Sequence, residues 1–192
     1  AIQEEDYLLG YLGSVGGWYM LEEMLDFFRC LLKRNHRAKF LFITPDARES
    51  ILPKAIERGV PTDRVSTQSA VRSEVPGLLS LCDASIFFIR PIYSKTGSSP
   101  TKLGELLSME LPVITNSGVG DSDLLAERYR LGPILREFTN KAYDAAITDL
   151  EDFTMPRPEN RTAAHEYFSL SQGVARYAEI YQRLNSMSQA PS

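Results

Sequence analysis

Two stretches of this chain leave little freedom in what it can fold into. Phe40-Leu41-Phe42-Ile43 has no polar residue, and Ala84-Ser85-Ile86-Phe87-Phe88-Ile89 is almost wholly apolar. A strand apolar on both faces belongs in the middle of a parallel sheet that helices cover on either side. The remaining sequence fits, because short β-prone runs alternate with longer stretches of helical period. Strands are expected at 7–12, 39–44, 64–67, 84–89 and 112–115, with an edge strand at 132–135. The first helix is expected from the stripe Met20, Leu21, Met24, Leu25, Phe28, Leu31 and Leu32, which leaves Glu22, Glu23 and Lys33 off it. Others are expected through Ile51 and Ala55 up to Gly59, at 75–81, from Pro100, and through Leu124, Leu125 and Tyr129. Beyond residue 137 the pattern is helical, broken at Pro156 and Pro158, and Ser171 is the expected cap of a last helix carrying Val174, Tyr177, Ala178, Tyr181 and Leu184. The fold class that follows is α/β: a doubly wound, mostly parallel, Rossmann-like sheet, whose ligands bind outside the carboxyl ends of the strands.

At 192 residues, the expected organisation is one lobe over 1–192 with a polar, frayed tail at 185–192. A net charge of -4 and no basic block argue against nucleic acid as a partner, since binding a phosphate backbone needs several cations on one face. No apolar run approaches the roughly 20 residues that cross a bilayer, and Ala1-Ile2-Gln3-Glu4-Glu5-Asp6 is unlike a secretory signal, so a cytoplasmic location is expected. Cys30 and Cys82 stand in apolar stretches as buried thiols. His36 and His165 have no metal-ligand partners at suitable spacing, so no metal and no cofactor are expected.

The loops at the expected carboxyl ends carry the chemistry. After the fourth strand come Arg90 and Lys95, then Ser98-Ser99-Pro100-Thr101-Lys102-Leu103-Gly104-Glu105. Proline suits the first turn of a helix and Ser99 before it is a natural cap, so the amides of Thr101 and Lys102 form an anion site with the Lys102 side chain. Glu105 lies on the same helical face, roughly 7.5 Å beyond Pro100, a separation similar to that between ribose hydroxyls and an outer phosphate. An exposed surface pair has the same spacing. Gly104 allows a close approach. Gly13-Ser14-Val15-Gly16-Gly17 is no dinucleotide fingerprint, yet its amides sit where they can wrap a diphosphate or sugar; a plain tight turn reads equally well. Trp18 reads as core in preference to a cleft wall. Weaker candidates are Thr44, Ser69 and Val71 for a base, and Asn116, Gly118 and Gly120 for a sugar, with Asp121 as a helix cap.

Taken together, Phe87-Phe88-Ile89-Arg90-Pro91 and Ser99-Pro100-Thr101-Lys102-Leu103-Gly104-Glu105, running on to Pro112-Val113-Ile114, resemble the C-terminal, nucleotide-sugar-binding domain of retaining GT-B glycosyltransferases. The resemblance implies a donor-binding lobe for a nucleoside-diphosphate sugar, expected to be UDP-linked, with Glu105 on the ribose and Lys102 with Ser98, Ser99 and Thr101 on the diphosphate. It implies an acceptor, a saccharide or a lipid-linked one, held by an N-terminal lobe outside this chain, and a parent enzyme able to associate with a membrane surface. The last helix resembles the one that crosses back toward that lobe. Two departures stand out: Gly97 occupies the position of a further glutamate in many relatives, and the first loop lacks their Arg and Lys. A GT-B-like epimerase or phosphorylase lobe and a non-catalytic nucleotide-binding module are the alternatives.

Overall fold

The computed structural model describes residues 2–153 and 156–188. Its six strands are β1 (Tyr7–Leu12), β2 (Ala38–Ile43), β3 (Val65–Gln68), β4 (Ala84–Ile86), β5 (Val113–Asn116) and β6 (Ile134–Leu135). They form one parallel sheet in the order β3-β2-β1-β4-β5-β6. The chain winds outward from β1 through β2 and β3, then returns to the other side of β1 at β4. The carboxyl ends of β1 and β4 therefore flank the crevice where such sheets bind ligands.

The apolar runs explain why this sheet forms. Phe40 and Phe42 lie two residues apart on one face of β2, with ring centres 4.2 Å apart, and Phe28 of α1 (Leu21–Arg34) packs on Phe40 at 5.1 Å. All three are fully buried. Each such side chain contributes roughly 1.5–3 kcal/mol over leaving it exposed. Helix α1 also packs against α2 (Arg48–Glu57) and α7 (Asn140–Glu151). A second group joins α5 (Thr101–Ser108) to α8 (Pro158–Phe168), and α8 also touches α6 (Ser122–Tyr129). Cys30 and Cys82 are buried and free.

Several boundaries differ from the sequence reading for identifiable reasons. The fourth strand leaves the ladder at Ile86, because Ile89 pairs with Tyr19 in an isolated antiparallel bridge. The edge strand shrinks to Ile134–Leu135, since Pro133 has no N–H to give a ladder. The helix at 75–81 is α3 (Val75–Leu79), and the long loop after β4 holds an unexpected short helix, α4 (Tyr93–Thr96). The last helix, α9, runs Leu170–Ser188, so residues 185–188 are helical where fraying was expected, and 189–192 lie outside the described residues. Ser171 is not its cap: the Ser169 hydroxyl accepts from the Gln172 amide at 3.4 Å. Among the described residues no helix is long and apolar enough to cross a membrane.

Candidate functional site

At the carboxyl end of β1, a cavity of about 550 Å³ opens between the start of α5 and the segment after β3. One part of its wall is apolar, built from Val75, Pro76, Leu79 and Met109. The other part is polar, built from Gly13, Arg72, Thr101, Lys102 and Glu105. The cavity thus brings together Gly13, Thr101, Lys102 and Glu105 from the sequence candidates.

Helix α5 starts one residue later than expected. Pro100 occupies the N-cap position with an extended ψ of 110°, and no side chain caps the helix, so Ser99 does not do so. The first amides are still left without intrahelical acceptors and point out of the helix. Lys102 differs more. Its side chain is not on the surface: only 7% of the residue is exposed. Nζ lies 3.6 Å from the centre of the Tyr19 ring, 4.5 Å from that of Tyr11 and 5.8 Å from that of Phe87. It donates one hydrogen bond, to the Tyr11 hydroxyl at 3.3 Å. Burial pushes its pKa down to about 7, and the nearby Glu105 carboxylate only partly opposes that.

Glu105 is a third exposed and forms an ion pair with Arg72 at 2.9 Å. Arg72 directly follows a segment holding two residues singled out on the sequence, Ser69 and Val71, neither of which lines the cavity; Ala70 and Arg72 do. Val71 instead stands 63% exposed, and the Ser69 carbonyl accepts from the Gln68 side chain. On its other side, the Arg72–Glu105 pair lines a second cavity bounded by Gly104, Arg161, His165 and Phe168. Gly104 is filled from there by a protein side chain, not by a ligand: a Cβ would sit 2.6 Å from Phe168 Cβ and Cγ.

The second glycine-rich corner supports the site from behind. Asn116 is buried and its amide is fully engaged, accepting from the Ile89 N–H at 2.8 Å and donating to the Ile89 and Ser117 carbonyls at 2.9 and 3.0 Å. It pins the end of the fourth strand and has no amide N–H left for a sugar. Asn116→Ala strands the Ile89 N–H and C=O in the interior, with an expected cost of about 2–3 kcal/mol in urea denaturation; a loss within error would mean that water takes the place of the amide. Gly120 gives its N–H to the Lys95 carbonyl at 2.9 Å and lies against Ser98. Gly118 gives its N–H to the Asp123 carboxylate at 2.8 Å, and Asp121 occupies the N-cap of α6 without a side-chain bond.

In the first loop Gly13, Gly16 and Gly17 all have positive φ, which accounts for their identity. The loop is braced from two sides. The Val15 N–H donates to Asp46 Oδ2 at 2.6 Å, and that carboxylate also accepts from buried Thr44, which therefore serves the brace. The Tyr11 hydroxyl donates to the Ser14 carbonyl. Trp18 is not core but 49% exposed, with the Lys95 ammonium 4.7 Å from its ring centre, and its carbonyl accepts from the Arg90 N–H. Ser14, Gly16, Gly17, Arg90, Lys95, Ser98 and Ser99 do not line the cavity. Sequence reasoning missed Tyr11, Tyr19 and Arg72. Asp46 was legible as the turn residue after β2, whereas the tyrosines read as ordinary β-prone aromatics. No group of three or more metal-ligating side chains occurs among the described residues.

No protein-family model matches the chain, and no curated protein matches it in sequence. Solved structures do match in fold. AviGT4, a glycosyltransferase involved in avilamycin A biosynthesis, superposes with a TM-score of 0.69 at 21% identity over 98% of this chain and 53% of its own. WaaG, a glycosyltransferase involved in lipopolysaccharide biosynthesis, gives 0.67 at 19% identity over 89% of this chain and 45% of its own. TarM of S. aureus, crystallised as a variant with UDP, gives 0.71 at 11% identity over 94% of this chain and 36% of its own. The chain spans about half the length of these proteins or less.

Proposed function

We propose that this chain, which has the fold of the C-terminal lobe of GT-B glycosyltransferases, is the donor-binding part of an enzyme that moves a sugar from a nucleoside-diphosphate sugar to an acceptor. One observation carries the reading. A single cavity has an apolar wall, a carboxylate one helical turn from a lysine, and a helix start, all contributed by α5 and its neighbours. The apolar wall of Val75, Pro76, Leu79 and Met109 suits a base. Glu105 suits the ribose hydroxyls, since a carboxylate accepts from both. Lys102 and the free amides of Thr101 and Lys102 suit the diphosphate, whose negative charge grows as the anomeric bond breaks. A uridine nucleotide is the favoured donor, in keeping with the UDP in the TarM crystal.

In this reading a saccharide or lipid-linked acceptor is held by a second lobe outside the chain. Helix α9 offers a surface for that lobe, because Leu170, Val174, Tyr177, Tyr181 and Leu184 are each more than half exposed along it.

Calorimetric titration with UDP and 2′,3′-dideoxy-UDP tests the reading. The native chain should bind UDP about tenfold more tightly than the dideoxy form, and Glu105→Gln should bind both equally, at the weaker level. No UDP binding at millimolar concentration, or an unchanged preference in Glu105→Gln, sinks the proposal.

A further inference from the structure

The surroundings of Lys102 are unusual for a lysine that is meant to meet an anion. Its ammonium form would carry three N–H donors, yet among the described residues one acceptor, the Tyr11 oxygen, is within hydrogen-bond reach. The Tyr11 proton is already given to the Ser14 carbonyl, so the tyrosine oxygen is oriented to receive from Nζ. Above Nζ lies Gly13 of the first loop, where a Cβ would come within 2.9 Å of it. Among the described residues no carboxylate stands within the 4.0 Å of an ion pair with Nζ. The groups facing it from each neighbouring element are few. Tyr11 of β1 and Tyr19 before α1 are both held neutral by burial, and Phe87 after β4 carries no charge. Glu105, further along α5, is paired with Arg72, and Asp46 is occupied by the Val15 N–H and Thr44.

Such a nest accommodates an amine with two N–H groups and a lone pair better than an ammonium. The aromatic faces favour the cation by about 2 kcal/mol when desolvated, which offsets part of the burial cost without removing it. Resting on the donor-site reading above, we propose that Tyr11 and Tyr19 are positioning residues that hold Lys102 beneath the first loop, where burial leaves it an uncharged amine, and that a nucleoside diphosphate binds together with one proton. The proton comes from solvent and goes onto the Nζ lone pair. The diphosphate supplies the missing counter-charge, so the ammonium becomes the favoured form only in the complex. The lowered pKa of the free lysine agrees with this arrangement.

Proton uptake is read directly by titrating the chain with UDP in buffers of different ionisation enthalpy. At pH 8 the terminal phosphate is ionised, since its second pKa is near 6, and the amine is mostly neutral, so the native chain should take up close to one proton per UDP. The dissociation constant should then rise about tenfold per pH unit between pH 7.5 and 8.5. Tyr11→Phe keeps the ring but removes the one acceptor that Nζ has among the described residues, so its uptake should persist while the pH of half-uptake moves downward. Tyr19→Leu, which removes one aromatic face, should move it the same way. Lys102→Met should show no uptake. UDP binding without buffer dependence in the native chain overturns this proposal and leaves the donor site standing. Unshifted profiles in both tyrosine variants overturn the positioning role. No UDP binding at any pH from 6 to 9 overturns both the proposal and the reading beneath it.

Discussion

Lys102→Met is expected to give a protein that is more stable than the native chain and binds nucleoside diphosphates more weakly. A lysine whose pKa falls to about 7 on folding has lost roughly 3–5 kcal/mol of its preference for the charged form, at about 1.4 kcal/mol per pH unit. Methionine fills similar volume, makes favourable sulfur contacts with aromatic rings, and sacrifices one hydrogen bond worth about 1 kcal/mol. The balance is a gain of about 2–3 kcal/mol near pH 7, or roughly 5–10 °C in melting temperature for a chain of this size. Because the folded pKa is depressed below the unfolded one, the unfolded state binds the extra proton between pH 7 and 10.5, and native stability rises with pH across that window. Cys82 acts in the opposite sense above about pH 9, where the unfolded thiol ionises while burial holds the folded one protonated up to about 12. Melting curves between pH 7 and 8.5 isolate the lysine. The native chain should gain about 1 kcal/mol or more over that range and the variant should gain none. A variant less stable than the native chain, or one that keeps the slope, contradicts the electrostatic account of the nest.

Gly120→Ala is expected to be the most damaging single methyl group in the region. A Cβ there would lie 1.6 Å from the Ser98 carbonyl oxygen, a backbone atom with no freedom to rotate away. The positive φ of 49° adds about 1 kcal/mol of strain, so the clash dominates. Relief requires the 97–100 segment to move, and that segment sets where α5 begins. The expected loss is about 4 kcal/mol in denaturant stability, with UDP binding weakened at least tenfold, since the free amides and Lys102 ride on the same helix. Unchanged UDP affinity in a folded variant would show that the corner and the helix start are mechanically independent.

What was legible in the sequence was what depends on neighbouring residues. The apolar faces of β2 marked it as an interior strand of the sheet, and the spacing of Lys102 and Glu105 placed both on one cavity wall. What depends on distant segments was not legible. Helical spacing gives the side of α5 from which Lys102 projects, but Tyr11 and Tyr19, more than eighty residues earlier, decide that it turns inward. Asn116 offers the same amide to a sugar or to a strand end, and only the position of Ile89 decides between them. Trp18 has a core residue's composition, but three glycines before it turn the chain outward. Arg72 was passed over because the segment singled out at the end of β3 stopped at Val71, one residue short of it, whereas Ala70 and Arg72 line the cavity.

The ion pair between Arg72 and Glu105 makes the site self-occluding in a graded way. With the arginine side chain 89% exposed, the pair is worth well under 1 kcal/mol, so opening it lowers affinity by less than about fivefold. On the donor-site reading, a ligand with a vicinal diol would repay that cost by satisfying the freed carboxylate. In the proposed donor site, inorganic pyrophosphate or a bare base would have no group for it, so this weak surface contact would favour intact nucleotides over their fragments by at most about fivefold.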